Sequence, residues 1–136
     1  MMDVSEPLTI VNRLDECLSE RESIAENQIR SVSIKNFLVD TRKLRLYLPA
    51  DLIAHLGLEF FKTIGGIGKS KPIRMYRDAK LSLYGREGTF ECFEIPTGQP
   101  VIVGRVPLDA LGLKPDLENS TIEVLPCTSA DTYWSA

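Results

Sequence analysis

The chain has 136 residues and a mass of 15.2 kDa, with 43% hydrophobic and 26% charged residues, enough for one real core and too short for a multidomain machine. A net charge of −3, a pI near 5.2 and only 7% aromatic residues argue against nucleic acid as a partner of the chain as a whole. The charge is uneven: residues 1–40 carry 8 acidic and 4 basic side chains (−4), 41–90 carry 4 and 10 (+6), and 91–136 carry 7 and 2 (−5). Cys17, Cys92 and Cys127 are an odd, widely spaced set with one histidine, His55, which predicts reduced thiols in a cytoplasmic protein and neither metal nor cofactor. No run of eighteen apolar residues predicts a membrane span, and the acidic start lacks a long apolar leader.

Along the chain, short segments rich in Val, Ile, Leu and Phe alternate with turn signals at the spacing of an all-β domain. Leu8 to Val11 is the first strand. The acidic stretch from Asp15 to Gln28 reads as a short helix or an ordered loop, so that 1–28 is an N-terminal strand plus an acidic segment. Ile29 to Ile34 and Phe37 to Asp40 read as two strands joined by a tight turn at Lys35-Asn36. Pro49 suits the first position of a short helix that Gly57 ends.

Glu59 to Ile64 and Lys71 to Tyr76 form a hairpin around the glycine-rich tip Gly65-Gly66-Ile67-Gly68. Ala79 to Leu83 and Thr89 to Ile95 flank a second turn, and Val101-Ile102-Val103 is a fully apolar run. The tail 127–136, with Trp134, is polar and expected to be loosely held.

A weak internal repeat organises these segments. Phe37-Leu38-Val39-Asp40 leads through a loop and a proline to a short helix ending Leu56-Gly57-Leu58, and Val101-Ile102-Val103-Gly104 leads through Pro107 to one ending Leu111-Gly112-Leu113.

With these residues in order, 30–126 resembles the retropepsin-like aspartic proteases, including retroviral enzymes and small bacterial relatives. Phe37 to Thr41 is similar to the apolar strand that delivers the catalytic Asp-Thr, and Ile64-Gly65-Gly66-Ile67-Gly68 to the flap tip. Val101 to Arg105 resembles the second apolar-apolar-Gly signature. The resemblance implies a single all-β acid-protease barrel over 1–136 with one or two short helices. It also implies an aspartic peptidase of peptides or proteins, with Asp40 and Thr41 as catalytic residues. Two carboxylates about 3 Å apart share one proton and work as base and acid on one water. One chain supplies half of such a dyad, because Asp131-Thr132 lies in the tail, so the resemblance implies a homodimer with Asp40 from each copy on the two-fold axis.

The sequence departs from the family at one position that matters. Active members continue Asp-Thr-Gly-Ala, whereas this chain reads Asp40-Thr41-Arg42-Lys43-Leu44-Arg45. A guanidinium stays charged and favours an ionised carboxylate, away from the singly protonated dyad the mechanism needs. Two readings stay open: a feeble peptidase with Arg42 turned outward, or a pseudoprotease that keeps the fold as a peptide- or polyanion-binding module.

Other chemistries fare worse. His55 is better explained by its place near a helix end than by a catalytic triad, and Cys92 as an apolar strand filler. Gly65 to Ser70 fails the phosphate-loop pattern because Thr63 stands where its first glycine belongs. Arg105 is expected to pair with Asp109 or with a carboxylate of the N-terminal region, and an exposed, solvated Arg105 is the alternative. Basic residues between Arg42 and Lys80 form a patch only if the strands gather them, and the acidic N-terminal segment is placed to cover part of it.

Overall fold

The computed structural model describes residues 1–66, 68 and 71–126. Ile67, Lys69 and Ser70 at the glycine-rich tip, and 127–136 with Cys127, Asp131, Thr132 and Trp134, lie outside the described residues. The chain is mostly β with a few short helices. In order it forms β1 (Met2–Val4), β2 (Leu8–Asn12), α1 (Arg13–Glu20), β3 (Ser31–Ile34), β4 (Phe37–Val39), β5 (Leu46–Pro49) and α2 (Ala50–Leu56). Then follow β6 (Glu59–Ile64), β7 (Ile73–Leu83), β8 (Arg86–Ile95), β9 (Ile102–Val103), α3 (Arg105–Ala110), β10 (Leu113–Asp116) and β11 (Thr121–Val124).

Among the described residues nine strands make one curled, half-barrel sheet in the order β1-β4-β9-β5-β8-β7-β2-β3, with β6 added beside β7, while β10 and β11 pair separately. Alternation along the strands decides what the sheet encloses. Leu8 and Ile10 of β2, Phe37 and Val39 of β4, Leu46 and Leu48 of β5, and Leu81 and Leu83 of β7 point into one apolar core with Val103, Leu108 and Leu113. Burying each such side chain contributes about 1.5–3 kcal/mol.

The helices are fixed by their ends. Gly57 closes α2 in the left-handed region at φ 61°. Asn12 caps α1 by accepting from the Asp15 backbone N–H at 3.1 Å, and its side-chain amide donates to the carbonyls of Leu56 at 2.9 Å and Gly57 at 3.2 Å. One buried amide therefore ties the start of α1 to the end of α2. Beside it the buried Asp15 takes Nε and Nη2 of Arg30 at 2.9 and 3.0 Å. The acidic N-terminal segment meets the basic middle at Lys80, which bridges Glu16 at 2.7 Å and Glu87 at 2.8 Å.

Three local expectations need correction. The strands on either side of Lys35-Asn36 form no hairpin: β3 pairs β2, and β4 pairs β1 and β9. Neither Lys35 nor Asn36 has the positive φ that a two-residue type I′ turn demands. The expected strands from Lys71 to Tyr76 and from Ala79 to Leu83 are one strand, β7, which continues through a bulge with Asp78 at φ 65°. Finally, α3 starts at Arg105 with Gly104 alone between it and β9, so that Pro107 stands inside the helix and does not lead into it. Pro107 is tolerated there because the first turn of a helix leaves its N–H groups without intrahelical partners.

Candidate functional site

The two repeat strands lie side by side. β4 and β9 pair in parallel, with Leu38 opposite Ile102 and Val39 opposite Val103, and the Asp40 N–H donates to the Val103 carbonyl at 3.2 Å. The loop leaving β4 is then stitched to the start of α3. Gly104, Arg105 and Val106 donate in turn to the carbonyls of Arg45, Lys43 and Leu44, each at 2.9 Å. Gly104 is required at that crossing, since a Cβ there would stand 2.4 Å from the Arg45 oxygen and 2.6 Å from that of Lys43.

Asp40 sits at the end of β4 with its side chain only 2% exposed. Its Oδ1 accepts from the Arg42 backbone N–H at 3.0 Å and from Arg42 Nε at 3.2 Å, and Arg42 Nη2 reaches Oδ2 at 3.5 Å. The guanidinium holds the Asp40 carboxyl below the usual carboxylate range; burial pushes the other way, and the Arg42 backbone N–H and charge reinforce the lowering. Arg42 itself is 76% exposed, and its backbone is not in the left-handed region, so the side chain sits here without backbone strain. Thr41, half-buried, lies between the two.

On the face of the sheet opposite the core, a second apolar row starts next to Asp40. Registers align Leu38 with Ile102, Ile102 with Tyr47, Tyr47 with Phe93, and Phe93 with Met75. Ile102 and Met75 are buried outside the core cluster, and the Tyr47 and Phe93 rings meet edge to face at 5.5 Å. Lys43 stands 5.1 Å over the Tyr47 ring. The row continues onto the arm formed by β6 and β7, where Ile64 faces Ile73. A cavity of about 650 Å³ beside the tip end of the arm is lined by Ile73, Ile95, Pro72 and Pro96 with Lys71 and Glu94 at its polar side.

The expected site residues thus divide. Asp40, Thr41 and Arg42 share one loop; Ile64, Gly65, Gly66 and Gly68 belong to the exposed end of the arm, and Ile67 lies outside the described residues. Sequence reading passed over Tyr47, Phe93, Met75 and Ile102, although Leu46-Tyr47-Leu48 and Cys92-Phe93-Glu94 carry the period-two signal of a strand with both faces in use. Cys92 is fully buried and burial pushes its thiol up to about 12, which makes it a core filler. His55 is exposed in the last turn of α2, and Arg105 is exposed with no side-chain ion pair among the described residues. No helix of the described residues is long and apolar enough to cross a membrane. Compared with known proteins, the chain matches no family model and no curated protein.

Proposed function

We propose that this chain is a retropepsin-like pseudoprotease: a homodimeric module that holds an extended peptide in the groove between Asp40 and the β6–β7 arm without cleaving it. The observation that carries this reading is the Asp40–Arg42 pair. An aspartic dyad works because one of two facing carboxylates keeps a proton, which it hands on as the other activates water. If two copies brought Asp40 together, each carboxylate would arrive with its own guanidinium. Both would be ionised, and no acid would remain to protonate the departing amine.

Support for the groove comes from the apolar row beside Asp40, and from the cavity and the glycines at the tip end of the arm. Gly65 and Gly66, at φ 82° and 85°, give the arm a tip with no side chain between its backbone and a ligand. Recognition would run through main-chain hydrogen bonds to an added strand, with alternate side chains entering the apolar row.

The exposure of Arg42 favours a second reading, in which an entering peptide displaces the guanidinium and a weak peptidase results. One experiment separates the two: incubate a diverse peptide pool with the native chain, Asp40→Asn and Arg42→Gly from mildly acidic to neutral pH, and score both cleavage and retention. Pseudoprotease function is expected to give retention by all three and cleavage only by Arg42→Gly. Cleavage by the native chain that Asp40→Asn abolishes would establish the peptidase instead. If none retains a peptide, the groove itself is refuted.

A further inference from the structure

We propose that the β6–β7 arm is a binding surface for single-stranded nucleic acid. The chain-wide charge of −3 conceals this arm: the described residues between 59 and 77 hold four basic side chains, Lys62, Lys71, Arg74 and Arg77, and one acidic one, a local charge of +3. The single acid, Glu59, is already paired with Arg77 at 3.0 Å. All six residues of β6 are exposed, and among the described residues β6 pairs with β7 alone, which leaves its other edge unpaired.

What distinguishes the arm from an ordinary solvated basic run is how its cations are held. Phe60 and Phe61 remain 41% and 39% exposed, far more than large aromatic side chains in a packed sheet. Each ring is stacked by cations: the Arg74 guanidinium lies 4.2 Å over Phe60, while Arg77 and Lys62 stand 4.8 and 5.0 Å over Phe61. Tyr76 closes on Phe60 edge to face at 5.7 Å, and its hydroxyl accepts from Arg74 Nε at 3.0 Å. Flat rings of β6 and flat guanidinia of β7 are therefore held against each other where the two strands pair. That combination suits unstacked bases and the phosphates that join them. A duplex, whose bases are already stacked, would use the charge and leave the rings unused; an acidic polypeptide would do the same.

The test is fluorescence anisotropy of labelled dT15 with the full chain over a salt series, beside a 15-base-pair duplex and poly-glutamate as competitors. Expected are saturable binding, a slope of log K against log salt of about −2 to −3 for three or four neutralised phosphates, and weaker competition by both duplex and poly-glutamate. Phe60→Ala with Phe61→Ala leaves the charge unchanged and is expected to weaken dT15 binding about tenfold or more. Arg74→Lys with Arg77→Lys keeps both charges, loses the planar stacks and gives a second, independent reading should the double alanine variant fail to fold, as judged by circular dichroism. Absence of binding, unchanged affinity in either folded variant, or equal competition by duplex or poly-glutamate would overturn the proposal. Asp40→Asn is expected to bind dT15 as the native chain does.

Discussion

Arg42 grips Asp40 twice, through its backbone N–H at 3.0 Å and its Nε at 3.2 Å, and it does so over a separation of only two residues. The contact is local, so it forms wherever the turn after β4 forms. It also has a pH signature. Because the folded carboxyl lies below its ordinary value of 3.8, the pair contributes stability above that value and loses it as pH falls through the lower, folded pKa. Arg42→Gly is therefore expected to cost more stability at pH 7 than at pH 3, by up to about 1 kcal/mol given how exposed the guanidinium is. Urea melts at the two pH values, with Asp40→Asn as the reference that lacks the titration, check this.

Gly104 offers a sharper test of the crossing between the two repeats. Gly104→Ala drives a methyl group against two backbone oxygens that cannot rotate away, those of Arg45 and Lys43. A loss of about 2–3 kcal/mol is expected by denaturant unfolding, at the upper end for overpacking. Gly98, whose added Cβ meets nothing within 4 Å but whose φ is 96°, is the control for backbone strain without collision. Gly98→Ala should cost clearly less.

Legibility in the sequence followed the range of each interaction. β6, the end of α2 at Gly57 and the tip glycines were readable because capping and turn chemistry act within a few residues. The pairing of β4 with β9 joins residues 64 apart, Leu38 and Ile102, and nothing local forbade the hairpin with β3 that the Lys35-Asn36 turn suggested. The repeat hinted at this pairing without giving its direction. Asp40 was readable from its apolar strand and its following threonine, whereas the row through Tyr47, Phe93 and Met75 exists only once three strands are in register. The cation–aromatic stacks of the arm were hidden for the same reason: Phe60 and Arg74 meet across β6 and β7.

Buried amides make the next expectation. Asn12 satisfies two carbonyls at the end of α2 and caps α1, so Asn12→Ala removes a cap and leaves buried acceptors unpaired. About 2 kcal/mol of destabilisation is expected. Asn12→Asp should not rescue it, because a carboxylate keeps the cap but has no N–H to offer Leu56 and Gly57. Thermal melts of the two variants side by side decide the matter.

Thiol reactivity separates the cysteines. Burial that lifts Cys92 to about 12 leaves almost no thiolate at pH 8, and its side chain is out of reach in the folded sheet. Alkylation followed by peptide mapping is expected to label the half-buried Cys17 well before Cys92, with Cys92 reacting only as the chain unfolds in urea. Early labelling of Cys92 would show that β8 opens locally.

Arg86 is the last anchor to test. From the start of β8 its guanidinium donates to the carbonyls of Leu111 at 2.9 Å and Gly112 at 3.2 Å through Nη1, and to that of Leu125 through Nη2. One side chain thereby fastens both ends of the β10–β11 hairpin, which pairs with no other strand of the sheet among the described residues. The hairpin also rests on Leu113 in the core, on Ile122 packed against that core and on the turn at Asp116, whose carboxylate accepts from Asn119. Arg86→Ala is therefore expected to raise amide hydrogen exchange across 113–124 at least tenfold while leaving β2, β5 and β7 as protected as before. Uniformly faster exchange would mean instead that the hairpin unfolds only with the whole sheet, and that Arg86 supports the sheet rather than its appendage.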